Sequence, residues 1–237
     1  MVNTDTHAWS LRGQLLNSVG LSDRKTNIAF LESASASLCE GLATPPAAVK
    51  TLRELIYWQY AKIISNSAGM GKKQWRFVMD RFEKLRDENI FWNSIREYVK
   101  ERETPNKCAF CGCSDQLSLE HLFPRALHGP DDEKNVTWIC RRCNSSKGAR
   151  RPYEYWTLRD GLKAAKYEMP RLVEGKYLKF VFETLSGTDY LDLPMSEIER
   201  QVCPNCGLTT LCKKEQTAHK LSPLCIDGIT TLQLSKA

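Results

Sequence analysis

The reading of this chain turns on residues 108–148: Cys108-Ala109-Phe110-Cys111-Gly112, then Leu119-Glu120-His121-Leu122-Phe123-Pro124-Arg125, then Asn135-Val136-Thr137-Trp138-Ile139-Cys140-Arg141-Arg142-Cys143-Asn144-Ser145-Ser146-Lys147-Gly148. Two Cys-x2-Cys pairs bracket an acidic-His pair, and an Asn follows the second pair directly. Four thiolates make a closed tetrahedral zinc site, and two such pairs are a usual way to supply them. Gly112 suits the tight turn that lets backbone N–H groups approach sulfur. Cys108, Cys111, Cys140 and Cys143 are therefore the expected ligands of a structural zinc ion. Disulfides fit less well, because both pairs have ligand spacing and the first twenty residues carry no secretory signal.

Between the pairs, Leu117-Ser118-Leu119-Glu120-His121 alternates like a short strand, with Leu117, Leu119 and His121 on one face and Glu120 on the other. Pro124 ends it. Residues 135–139 read as a second strand carrying Val136, Trp138 and Ile139. Residues 140–150 read as a short helix, stopped before Pro152. The order is strand, loop, strand, helix, with zinc fastening the base. A segment this small holds a core poorly without such a staple.

In this order (Cys-x2-Cys, acidic-His, Pro, Asn, Cys-x2-Cys-Asn-x2-Lys-Gly) the segment resembles the HNH, or ββα-metal, endonucleases. The resemblance covers about a fifth of the chain but engages many fixed positions. It implies that His121 is the general base and that Glu120 stands at the first metal-binding position, where Asp or His is commoner. It further implies that Asn135 braces the loop bearing the His, and that Asn144 is the other ligand of the catalytic cation. Cys108, Cys111, Cys140 and Cys143 match the structural zinc of those members that have one. Products with 5′-phosphate and 3′-hydroxyl ends follow by the same analogy.

The chemistry agrees. Hydrolysing a phosphodiester needs an activated water, a neutralised phosphate and a stabilised leaving oxygen. A histidine takes a proton from water near neutral pH. A hard divalent cation held by one carboxylate and one amide oxygen, with waters completing its shell, suits Mg²⁺ or Mn²⁺. Arg141, Arg142, Lys147, Arg150 and Arg151 lie on or beside the helix carrying Asn144, and Arg125 follows the His. These six are candidate phosphate contacts that give affinity without reading sequence.

The 237 residues as a whole have the composition of a soluble globular protein: 42% hydrophobic, 26% charged, net charge +6. The charge is compatible with DNA as partner. Ten cysteines, no apolar run of membrane-spanning length and no leader make a reduced, cytoplasmic, zinc-binding protein the coherent expectation. No Gly-rich phosphate loop is present, which argues against a nucleotide-driven motor.

Residues 1–20 carry a loose helical pattern, and a helix is expected from Ser22 or Asp23 through Cys39. Thr44-Pro45-Pro46 signals the start of another, with Val49, Leu52, Ile56, Tyr60 and Ile63 as its stripe. A long helix is expected over 72–102, striped by Trp75, Val78, Phe82, Leu85, Trp92, Ile95 and Val99 and interrupted at Asn89. Its mixed-charge face reads as solvated. Past Pro152 another helix is expected. Residues 171–186 favour helix over strand, and 187–194 read as a loop. Finally, Cys203-Pro204-Asn205-Cys206-Gly207 is a further knuckle, which Cys212 and Cys225, with His219 as an alternate, would complete as a second zinc site. His7 and His128 read as surface histidines.

The expected architecture is mainly α with an embedded small α+β module. A helical N-terminal region (1–103) is followed by the ββα-metal module (104–152), a helical extension (153–200) and a cysteine-rich C-terminal region (201–237). The expected function is metal-dependent DNA hydrolysis, with homo-oligomerisation or a protein partner engaged through the N-terminal region. The rival is a non-catalytic zinc-stabilised module that binds nucleic acid or protein.

Overall fold

The computed structural model describes residues 46–70, 74–89, 106–162, 169–209, 211–212 and 221–236, and for 159–162 the backbone alone. All of them fall in one compact unit, Leu38–Ala237. The helices expected over 1–39, the part of the 72–102 helix beyond residue 89, His7, Cys39 and His219 lie outside the described residues.

The first described helix, α1 (Leu52–Ser67), begins later than the Thr44-Pro45-Pro46 signal suggests. The start is set by a capping box: Thr51 Oγ1 accepts from Glu54 N at 3.2 Å while Glu54 Oε2 accepts from Thr51 N at 3.2 Å. Pro46 instead opens a turn closed by Val49 N–H on its carbonyl. Helix α2 (Trp75–Arg86) buries Val78, Phe82 and Leu85. It stops at Arg86 and does not run on, because Glu88 adopts the left-handed conformation at φ 60°. Trp58 of α1 meets Trp75 and Phe82 edge-on, with ring centroids 5.4 and 5.9 Å apart.

Strands β1 (Leu117–His121) and β2 (Val136–Cys140) pair antiparallel, with Leu117 opposite Cys140, Leu119 opposite Trp138 and His121 opposite Val136. The connection carries two short 3₁₀ turns, Arg125–Leu127 and Glu133–Asn135. Helix α3 (Arg141–Lys147) follows β2 without a loop, so the expected strand–loop–strand–helix order is the observed one. Then come α4 (Pro152–Leu162), α5 (Arg171–Leu185), a 3₁₀ turn at Asp189–Asp192, α6 (Met195–Glu197) running into a π turn at Ile198–Val202, and α7 (Pro223–Leu234). The described chain is mostly helical, with one two-stranded sheet. None of its helices is long and apolar enough to cross a membrane.

A single apolar core runs from the helices into the hairpin module. Phe110, between the first two cysteines, stacks on Tyr155 and meets Trp156 edge-on, both from α4. Phe123, two residues past His121, stacks on Tyr177 at 6.4 Å and leans on Phe180, both from α5. Phe123 is fully buried, and burial of such a side chain stabilises by about 1.5–3 kcal/mol. Beneath these rings Asp227 of α7 accepts from Glu154 N at 2.8 Å and from Tyr177 Oη at 2.7 Å. Burial pushes that carboxyl up to about 7. Lys134, just before β2, pairs with Glu183 of α5 at 2.9 Å. The hairpin is thus seated on α4 and α5.

Candidate active site and metal centre

At the base of the hairpin the first knuckle is fixed by backbone bonds. Cys108 N–H donates to Cys113 O at 2.7 Å, Gly112 N–H to Cys108 O at 2.8 Å, and Ala109 N–H to Trp138 O of β2 at 2.8 Å. Gly112 needs its glycine, because φ is +76° there. The turn brings Cys113 back over the site: Cys108, Cys111, Cys113 and Cys140 offer sulfurs that all lie within 4.8 Å of one another. This set could hold a zinc ion. Cys113 therefore stands in the group where the sequence points to Cys143. Cys143 itself is buried alongside, its N–H donating to Cys140 Sγ at 3.5 Å. Burial and the thiols of Cys111 and Cys140 push its own thiol up. At Cys140 burial works the same way but is outweighed by the Cys143 N–H and by the thiols of Cys113, Cys143 and Cys111, which bring it down to about 6. Five sulfurs are gathered for four coordination positions.

The other end of the hairpin is organised around Asn135, which is completely buried. Its Oδ1 accepts from Phe123 N at 2.8 Å, and its Nδ2 donates to Phe123 O and Pro130 O, each at 3.0 Å. The Asn135 carbonyl also accepts from Leu122 N at 2.6 Å. Together these bonds clamp both ends of the loop that leaves His121. Gly129 tightens the same loop: a Cβ there would meet Phe123 O at 2.2 Å. The loop conformation is therefore specified by residues 123–135 themselves.

Within this frame His121 Nε2 lies 3.1 Å from Asp131 Oδ1. A carboxylate only accepts, so Nε2–H is the donor and Nδ1 carries the lone pair. Sequence reasoning misses Asp131. Its sole signal is an acidic run, Asp131-Asp132-Glu133, in which Asp132 caps the 3₁₀ turn through Lys134 N. Glu120 is half-buried on the opposite face of β1, its Oε1 accepting from Ser118 Oγ at 3.0 Å. Asn144 of α3 is half-buried. Lys147, one turn further along the helix, feels the charges of Glu120, Asp227 and Glu154.

The basic residues divide. Arg125, Arg141, Arg142 and Arg150 are exposed, although Arg150 Nη1 is held by Ser146 O at 2.7 Å. Lys147 is only 3% exposed; burial pushes it down to about 8, opposed by Glu120, Asp227 and Glu154. Arg151 is also buried, with Nη1 donating to Cys206 O at 2.9 Å. Neither side chain lies on the surface expected to meet phosphate. Of the three cations on this short helix, Arg141 and Arg142 face outward and Lys147 faces inward. The outer face of the hairpin has its own surprise, since Leu119 and the Trp138 opposite it are 51% and 44% exposed. His128, an exposed residue at φ 64°, ends the first 3₁₀ turn.

In the C-terminal region Cys203, Cys206 and Cys225 are buried and Cys212 is half-buried. Burial, then the neighbouring Cys225, Cys206 and Cys203, push Cys212 up to about 12. All described cysteines are free thiols.

No curated protein and no solved structure matches the chain. The family model for HNH endonuclease matches residues 108–155. That span takes in the knuckles, the hairpin, the His loop, α3 and the start of α4. On both the sequence match and the ββα geometry, residues 108–155 are a module of the HNH endonuclease family.

Proposed function

We propose that the chain is a metal-dependent endonuclease that hydrolyses DNA phosphodiester bonds. The observation that carries this is the buried Asn135 clamp, which fixes the loop running from His121 to Asp131. A relic site has no physical need for a fully satisfied amide dedicated to holding a histidine loop. His121 Nδ1 takes a proton from water, and the water oxygen attacks phosphorus. The P–O3′ bond breaks and the departing O3′ takes a proton from solvent water, leaving a 5′-phosphate and a 3′-hydroxyl. Asp131 is a positioning residue that keeps Nε2 protonated and Nδ1 basic.

A carboxylate and an amide oxygen are hard donors, so Glu120 and Asn144 fit a Mg²⁺ or Mn²⁺ ion, which would neutralise the phosphate and the leaving oxygen. Four sulfurs of the first cluster fit zinc, whose work there is structural. Arg125, Arg141 and Arg142, with Arg150 beside them, supply the exposed positive charge along which a DNA backbone lies. Free thiols at every described cysteine suit a reducing compartment such as the cytoplasm.

The test is conversion of supercoiled plasmid to nicked or linear DNA in Mg²⁺ or Mn²⁺, with His121→Ala and EDTA as controls. Cleavage by the wild type alone, lost in EDTA, supports the reading. A folded, zinc-loaded wild type that retains DNA without cutting it, and whose retention survives His121→Ala, would favour the binding-only module.

A further inference from the structure

Four described cysteines fall outside the nuclease reading, and α7, which carries one of them, Cys225, lies against the knuckle that holds Cys203 and Cys206. The knuckle Cys203-Pro204-Asn205-Cys206-Gly207 follows directly from the π turn at Ile198–Val202. Its glycine has φ +67°, the same left-handed turn as Gly112 behind Cys111 at +76°. Cys206 Sγ accepts from Leu208 N at 3.5 Å. The chain then coils back, Cys212 N–H donating to Leu208 O at 3.0 Å. The fourth cysteine, Cys225, sits in the first turn of α7, where its Sγ accepts from Ser222 N at 3.4 Å and approaches Ser222 Oγ at 3.9 Å. Helix α7 lies directly on the knuckle, since a Cβ at Gly228 would come 2.8 Å from Cys206 Cβ.

The plain alternative is a patch of buried thiols acting as small apolar side chains. Such a patch has no use for backbone N–H groups aimed at sulfur, or for a left-handed glycine placed to permit the turn. Both features serve thiolates, as does a cysteine in the positive first turn of a twelve-residue helix. Four soft donors drawn from a knuckle, a coil and a helix start are the ligand types of a structural S₄ site.

We propose that Cys203, Cys206, Cys212 and Cys225 bind a second, structural zinc ion that clamps the start of α7 onto the knuckle after Val202. The clamp reaches the nuclease module through two contacts already described. Cys206 O accepts from Arg151, at the α3–α4 junction, and Asp227, two residues past Cys225, accepts from Glu154 N. The second zinc thus holds the support on which the Asn144 helix ends.

The test counts zinc by mass spectrometry in the full-length chain, saturated with zinc and freed of excess by gel filtration. The wild type should carry about two zinc ions per chain. Cys206→Ser and Cys225→Ser should each fall to about one, and so should Cys140→Ser in the other cluster. Should the serine variants not stay folded, Cys212→His is the second probe. It should keep both ions, while in the cobalt-substituted protein the visible bands move in the direction expected for replacing one sulfur by nitrogen. A wild type with one zinc that Cys206→Ser leaves in place overturns the proposal. So does a cobalt spectrum indifferent to Cys212→His, or iron in place of zinc.

Discussion

The two ends of the hairpin reach a defined geometry by different means. At the sulfur end, the chain brings Cys108, Cys111, Cys113, Cys140 and Cys143 together, and a collection of thiols that close needs a cation to hold it. At the histidine end, the loop is closed by hydrogen bonds and sterics alone, through Asn135 and Gly129. One end carries the donors for a metal ion, and the other is closed by its own hydrogen bonds. Removing metal should therefore loosen the base, and removing Asn135 should loosen the catalytic loop while zinc stays bound.

The largest effect is expected at Cys140, the sulfur shared by β2 and the start of α3. Cys140→Ser should release the first zinc ion and abolish plasmid cleavage, because structural zinc binding supplies on the order of 10 kcal/mol to the folding of a small module. Cys113→Ser and Cys143→Ser should each keep that zinc, since either sulfur can complete the set of Cys108, Cys111 and Cys140, whereas the double variant should lose it. Zinc content and far-ultraviolet circular dichroism check all four proteins. Release of zinc by either single variant would break the claim of redundancy and identify the fourth ligand.

Asn135→Ala comes next. It leaves Phe123 N–H, Phe123 O and Pro130 O without partners in the interior, a penalty of about 1–3 kcal/mol for each group that water does not reach. The variant should unfold at lower temperature and cleave at least tenfold more slowly, with its zinc content unchanged. Zinc lost together with activity would show that the two ends are not independent.

How much of this was legible in sequence follows the same division. The cysteine spacing, the acidic-His pair and Asn135 are local signals, and the strand–strand–helix order they imply is the order observed. What was not legible depends on contacts between distant residues. Cys113 enters the sulfur group because a backbone bond from Cys108 folds the turn back, which spacing alone does not encode. Lys147 and Arg151 read as candidate phosphate contacts, yet Lys147 lies on the buried face of a seven-residue helix packed on β1 and β2, and Arg151 is held inside by Cys206 O. The start of α1 is encoded locally by the capping box Thr51-Leu52-Arg53-Glu54, and not by the proline pair upstream.

That split among the basic residues gives a smaller prediction. Arg141→Ala and Arg142→Ala should each weaken DNA binding and reduce the slope of log affinity against log salt by about 0.9, the amount for one phosphate contact. Lys147→Met should leave the slope unchanged, because its ammonium is inside the fold. Fluorescence anisotropy across a salt series separates the cases. A change of slope at Lys147 would mean that the α3 face opens when DNA binds.

The smallest effect is expected at Asp131. Its carboxylate is 76% exposed while the His121 side chain it meets is 17% exposed, so solvent screens the pair and its worth is about 0.2–1 kcal/mol. Asp131→Asn keeps an oxygen that accepts from Nε2–H and removes only the charge. It should lower kcat by no more than about fivefold, with KM, melting temperature and zinc content unchanged. Asp131→Ala removes the acceptor as well and frees the ring to adopt the other tautomer, so it should lower kcat further. The order Asn before Ala is the signature of a positioning residue, because orientation outlasts the loss of charge. A fall of several hundredfold in Asp131→Asn would instead require the carboxylate to touch the reacting centre.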